Sequence, residues 1–250
     1  MALANLDLVY GDSLSRAEKE TLARETFRHF SLIILDFFWF SWSTEKRLRQ
    51  WVTFDASFDH YFKNSPVIAV TAHLGNWEIL GLASALHGEP PVSIAAVLDD
   101  PFIDFFVLRL RRRTGQQIVE QEGAIRALMR VLKNGGRTAI LMDQNTRPAD
   151  GGIFVDMFGL PVPTSKTAES LASRTGAAVV FVYCVADAEG RYTAYAEPPL
   201  RPDSLADGEL TQALSRILEK TIQKYPSQWL WLYKKWKFIP DGAPAEKYPF

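Results

Sequence analysis

The stretch VIAVTAHLGNWEILG, residues 67–81, decides the fold. It opens as an apolar, β-branched run behind Ser65 and Pro66, which predicts a buried strand ending near Thr71. Apolar residues then return at helical spacing, at Ile79, Leu80, Leu82, Ala83 and Leu86, and stop at Gly88, a suitable helix C′ glycine. His73 is thereby placed on a strand-to-helix turn. In open α/β sheets such turns hold ligands and catalytic groups, because the following helix offers free N–H groups and the positive end of its dipole.

Working outward, Ser15 and Glu18 form a capping-box pattern before a long helix with an unusually aromatic face. Strands are expected at residues 92–97, 117–119, 137–142 and 177–186, and helices at residues 101–115 and 124–133. Asp100 and Pro101 suit N-cap and N1. The segment IFVDMFG reads as another strand or extended piece, and Thr164 or Ser165 as the cap of the helix in KTAESLASRTG. DAEGR suggests a hairpin into residues 192–196, and a helix over residues 209–225 ends at Pro226. This alternation predicts an α/β fold: a central mixed, mostly parallel sheet flanked by helices, with an N-terminal helical segment over residues 1–50. No repeat or linker divides the 250 residues, so residues 1–250 are expected to form a single domain.

With 47% hydrophobic residues the chain can bury a large core, and its net charge of −1 offers no global attraction to nucleic acid. Electrostatic recognition must come from local clusters, RLRRRTG and the lysines of WLWLYKKWKF. The one cysteine, Cys184, lies in an apolar strand, where a thiol is inert. The N-terminal residues lack the basic and apolar regions of a signal peptide, and FSLIILDFFWFSW, residues 30–42, is shorter than the roughly 18 residues that span a bilayer and carries Asp36.

Nucleotide-binding, hydrolase-elbow and zinc signatures are missing: GxxxxGK[ST], GxGxxG, GxSxG, CxxC and HExxH do not occur at the expected positions. What remains is His73 and Glu78. With His73 in the loop and Glu78 in the first helical turn, the carboxylate can reach back to one imidazole nitrogen and leave the other facing a substrate. That is a base with an orienter and no protein nucleophile, suited to activating a hydroxyl against a thioester. The competing reading is a capping carboxylate and a turn histidine satisfied by backbone.

The blocks HLGNWE, RLRRRTG, MDQN, IFVDMFGLPVPTSKTAESLASRTGAAVV and YPSQWLWLYKKWK, in this order and spacing, resemble the bacterial lipid A biosynthesis acyltransferases, the lauroyl/myristoyl branch of the lysophospholipid acyltransferase-like superfamily. The likeness runs from about Asn5 to Lys237. It implies a glycerolphosphate acyltransferase-like α/β fold and transfer of an acyl chain from acyl carrier protein or coenzyme A to a hydroxyl of a membrane glycolipid or phospholipid, a lipid A-type acceptor first. It also implies His73 and Glu78 as the catalytic pair, with no cofactor beyond the acyl-ACP or acyl-CoA co-substrate and no metal. Family members usually begin with a membrane-spanning helix ahead of the segment matching ANLDLVYGDSLS, and this sequence starts where that helix would have ended. The expectation is a truncated start or a peripheral protein on the cytoplasmic face of the bacterial inner membrane.

Arg111 and Arg113 have two readings, a solvated helix end whose cations complement the dipole, or a site for an acceptor phosphate or a carrier's phosphopantetheine. Asp143 and Gln144 follow a strand and are placed on the active edge as substrate-binding candidates, with loop capping the alternative. His29, His60 and His87 lack an acid at useful spacing and read as structural. Trp229, Trp231, Tyr233 and Trp236, interleaved with Lys234, Lys235 and Lys237, are expected to join the residue 30–42 face as an interfacial surface at lipid headgroups. A thioesterase, using the same base on water, and an inactive lipid-binding relative are the alternative functions.

Overall fold

The computed structural model describes residues 1–88, 90–95, 100–120 and 123–250. Three helices lead the chain: α1 (Ala2–Tyr10), α2 (Arg16–Ser41) and α3 (Thr44–Trp51). α2 starts with the expected capping box, Ser15 and Glu18 satisfying each other's backbone N–H groups. Next come β1 (Val52–Phe54), α4 (Asp59–Phe62), β2 (Val67–Thr71), α5 (Trp77–Leu86), β3 (Val92–Ala95) and α6 (Pro101–Arg112). They are followed by β4 (Gln117–Glu120), α7 (Ala124–Lys133), β5 (Arg137–Leu141), β6 (Gly152–Met157) and β7 (Leu160–Ser165). The chain closes with α8 (Thr167–Thr175), β8 (Ala178–Ala186), β9 (Tyr192–Ala196) and α9 (Glu209–Lys224). The expected continuation of β3 through residues 96–97 lies outside the described residues.

Seven strands form one mixed sheet in the order β1-β9-β8-β2-β5-β3-β4. β2, β3, β4, β5 and β8 run parallel, whereas β9 returns antiparallel to β8 through the hairpin expected at DAEGR. β2 lies at the centre and is buried along its whole length, as its unbroken apolar run requires. Its side chains alternate between two cores. Ile68 and Val70 face the layer of α7, α8 and α9, while Val67 and Ala69 face that of α3, α4, α5 and α6.

IFVDMFG forms the strand expected of it, β6, paired with β7 in a separate two-stranded hairpin that turns through Phe158 and Gly159, both at positive φ. Of the two cap candidates before α8, Thr164 is instead a buried residue of β7, whereas the Ser165 hydroxyl oxygen accepts from Thr167 N–H at 3.3 Å. The tryptophan-rich C-terminal segment is also not a surface. Trp229, Trp231, Trp236 and Lys235 are at most 1% exposed and belong to the core. The chain returns after α9 across the carboxyl ends of the central strands, where apolar rings fill the remaining gap.

Candidate active site

β2 ends at Thr71, and the next five residues form a tight turn that the rest of the molecule pins in place. Gly75 adopts φ +60°, and a Cβ there would lie 1.9 Å from the Cys184 carbonyl oxygen, so only glycine fits. The Gly75 N–H donates to Gln228 O at 2.8 Å, Asn76 N–H to Cys184 O at 2.7 Å, and Leu230 N–H to His73 O at 3.1 Å. Asn76 is the N-cap of α5, its side-chain oxygen accepting from Ile79 N–H at 3.0 Å. Helix α2 holds the turn from outside: His29 Nε2–H donates to Gly75 O at 3.2 Å, and Asn76 donates to Asp36 at 3.0 Å. Tyr192 also donates to Asp36.

His73 projects from this turn half-buried, with Nδ1 2.8 Å from Asp143 Oδ1. Its backbone N–H donates to Asp143 Oδ2 at 2.9 Å, and the Trp229 indole N–H donates to the same oxygen at 3.1 Å. The sheet register explains the meeting. Thr71 pairs with Leu141 across β2 and β5, and His73 and Asp143 each lie two residues beyond their strand. Burial pulls His73 toward the neutral form, but the charge and hydrogen bond of Asp143, with the charge of Glu78, outweigh it and raise the pKa. Burial likewise pushes Asp143 up, and His73 and Lys235 overcome it, so its carboxyl is held below the ordinary range. Among the described residues nothing hydrogen-bonds His73 Nε2, while the Trp77 ring packs edge-on against the imidazole, centroids 4.7 Å apart.

The expected contact between Glu78 and the imidazole is corrected by this geometry, because Asp143 occupies Nδ1. Glu78 turns instead to Arg111, which binds it through two donors, Nε at 2.9 Å and Nη2 at 2.6 Å. This fork-to-fork pair ties the first turn of α5 to the end of α6, and the Trp77 indole N–H joins it at 3.1 Å. Two of the donors expected for a substrate phosphate are thus spent inside the protein. Arg113 donates to the Ser41 carbonyl at the end of α2, and Gln144 is exposed beside Asp143. Sequence reading placed Asp143 on the active edge without its partner, and gave no role here to Asp36, Asn76, Trp229 or Lys235. Asn76 had a usable signal, since an asparagine before an apolar-periodic run is a capping residue.

Beside the pair, a narrow cleft open to solvent runs between α5 and the sheet. Small side chains make the hollow: Ala69, Thr71, Ser93 and Ala139 on the strands, Gly81 and Ser84 on the helix. Trp77 and the Glu78–Arg111 pair lie at the His73 end, and Phe58, Tyr61, Leu80 and Ile118 line it further in. The site thus joins a histidine–aspartate pair, an imidazole nitrogen without a partner among the described residues and a mainly apolar cleft.

A sequence model described as "Bacterial lipid A biosynthesis acyltransferase" matches residues 1–238. The lipid A biosynthesis lauroyltransferase of Escherichia coli (strain K12) is 24% identical over 96% of this chain and 79% of its own length. The lipid A biosynthesis palmitoleoyltransferase of the same organism is 24% identical over 98% and 80%. Among solved structures, the 1-acyl-sn-glycerophosphate acyltransferase PlsC from Thermotoga maritima aligns with a TM-score of 0.44 at 17% identity, covering 91% of this chain and 93% of that one. With nearly its whole length matched by the family's own pattern, the chain belongs to the bacterial lipid A biosynthesis acyltransferase family and is an acyltransferase.

Proposed function

We propose that this protein transfers a fatty acyl group from an acyl thioester, carried by acyl carrier protein or coenzyme A, to a hydroxyl of a lipid A-type glycolipid. The observation that carries the reading is the His73 Nδ1 bond to Asp143 at 2.8 Å with Nε2 left for a substrate. Donating Nδ1–H to the carboxylate puts the lone pair on Nε2. Nε2 takes the acceptor hydroxyl's proton as its oxygen attacks the thioester carbonyl; the carbon–sulfur bond breaks, and the thiolate leaves with the proton returned by the imidazolium. Asp143, with Glu78 nearby, stabilises that imidazolium. The cavity along α5 takes the acyl chain, each methylene contributing about 0.8 kcal/mol when removed from water. Gln144, exposed beside Asp143, is the remaining candidate for contact with the acceptor, since Arg111 is bonded to Glu78 and Arg113 to the Ser41 carbonyl.

The acceptor is membrane-bound, and the outer face of α2 suits a bilayer surface. Phe27, Ile34, Leu35, Phe38, Trp39 and Trp42 are exposed along it, and the Arg47 guanidinium sits 3.7 Å over the Trp39 ring, the pairing of ring and cation found at headgroup depth. Among the described residues no helix is long and apolar enough to cross a membrane. The exposed rings of this face support a reading of attachment at the membrane surface, on the cytoplasmic face of the inner membrane.

The test is transfer by purified protein given acyl donor and lipid A-type acceptor. His73→Ala should lower the rate by about 10²- to 10⁴-fold with the fold intact. Cys184→Ser should stay active, since burial pushes that thiol far above its ordinary pKa. The raised His73 pKa puts the acid limb of the wild-type rate above pH 6.5, because the base must lose its proton to work. Wild-type rates from His73→Ala would overturn the mechanism. Free fatty acid released at the same rate with and without acceptor would make the protein a thioesterase.

A further inference from the structure

Lys235 is 1% exposed, while Lys234 and Lys237 on either side of it reach solvent. Among the described residues its Nζ has one hydrogen bond, a long one of 3.4 Å to Thr164 Oγ1 near the end of β7. An ammonium carries three donors, and burying one is strongly unfavourable unless another charge compensates. Burial draws Lys235 down to about 8, still above neutral pH, and the opposing pull comes from Asp143. The same charge acts in return on Asp143, favouring its ionised form.

The groups around Asp143 arrive from several elements. His73 comes from the turn after β2, and Trp229 and Lys235 from the C-terminal return. Tyr233 lies within reach of the same charge, its hydroxyl accepting from Asn145 N–H at 2.9 Å. Glu78, matched by Arg111, adds its charge to the surroundings of the imidazole. Lys235 reaches the neighbourhood of this carboxylate through its surroundings: Thr164, to which it donates, forms a β-bridge with Asn145, two residues beyond Asp143, and the Asn145 side chain donates to Lys234 O at 3.0 Å. We propose that Lys235 is a positioning residue for catalysis, the buried countercharge that lets Asp143 stay ionised while His73 is neutral and ready to act as base.

This rests on the reading of His73 as the base. With Lys235 in place, neutral His73, ionised Asp143 and the ammonium sum to zero charge. Without it, a buried carboxylate stands uncompensated, and the His73–Asp143 pair binds a proton more readily whichever member holds it. The active form then fills only at higher pH.

Transfer rates of wild type and Lys235→Met measured across pH provide the test. The acid limb should move up by about one pH unit in the variant, with the rate recovering toward wild type on the alkaline side. A rate lowered equally at every pH, with the limb unmoved, would overturn the proposal and leave Lys235 a packing residue. Should Lys235→Met not fold, the pair Lys235→Met with Asp143→Asn supplies the second reading. Removing both charges should restore folding or raise the thermal midpoint above the single variant, whereas losses that simply add would overturn the coupling. Activity surviving in His73→Ala would instead sink the underlying mechanism, so the two failures are told apart.

Discussion

Two aromatic regions of this chain look alike on paper and end in opposite environments. In residues 30–42, Ile34 is 62% and Trp42 75% exposed, while in residues 229–236 Trp231 and Trp236 are fully buried. The difference lies in what backs each segment. Helix α2 has one inward stripe, Leu22, Thr26, His29, Ile33 and Phe40, and its 3.6-residue period turns the remaining rings outward. The C-terminal return is irregular, runs across the ends of β2 and β5, and uses rings from both sides of the backbone: Trp229 and Trp231 meet edge-to-face at 4.7 Å. One region stays open to solvent. The other is the wall behind Asp143.

The sharpest way to break this contrast is at Asp143, where the buried region meets the chemistry. Asp143→Asn keeps the shape but offers Nδ1 an amide, which favours the tautomer with its proton on Nε2, where the lone pair is needed. A loss of about 10³- to 10⁴-fold in kcat is expected, with little change in donor binding. An unchanged kcat in steady-state transfer assays would detach the tryptophan wall from function.

Next in size is the wall itself. Trp231→Ala removes a fully buried ring whose N–H is bonded to Pro226 O at 2.6 Å, and should destabilise the protein by about 3–5 kcal/mol in denaturant unfolding. A loss below about 0.5 kcal/mol, the range of ordinary surface substitutions, would return this ring to the surface role read from its sequence.

What the sequence made legible follows from distance along the chain. The strand, the turn and α5 around His73 were readable because each signal, β-branched run, glycine and apolar period, acts within a few residues. The orienter of His73 was not, because Asp143 is 70 residues away and reaches it only through the pairing of β2 with β5. Glu78, five residues on, was the available acid, and no local pattern shows that Arg111 takes it from across α5 and α6. The alternation of tryptophan and lysine in residues 229–237 reads the same at a headgroup layer and in a core. Lys235 is the residue that separates them, since a bilayer surface would leave its charge in water whereas here it is enclosed. In β6 and β7, the turn at Phe158 and Gly159 lacks the asparagine–glycine signal that would have marked a hairpin.

The smallest effect on stability is expected on the outer face of α2, and it sharpens the comparison most directly. Ile34 and Phe38 are each about three-fifths exposed, so Ile34→Ser with Phe38→Ser removes little packing, and each change should stay within about 0.5 kcal/mol in unfolding. Against a bilayer the same atoms matter, because burying an Ile or Phe side chain is worth about 1.5–3 kcal/mol. Co-sedimentation with anionic phospholipid vesicles should therefore weaken by at least about tenfold, since 1.4 kcal/mol is a factor of ten in binding. Transfer to a detergent-dispersed acceptor should be unchanged, as neither side chain lines the cavity beside His73. Unaltered vesicle binding would leave these rings without a bilayer partner. A fall in stability comparable to Trp231→Ala would mean that α2 and the C-terminal return are packed alike, and the contrast between the two regions would be lost.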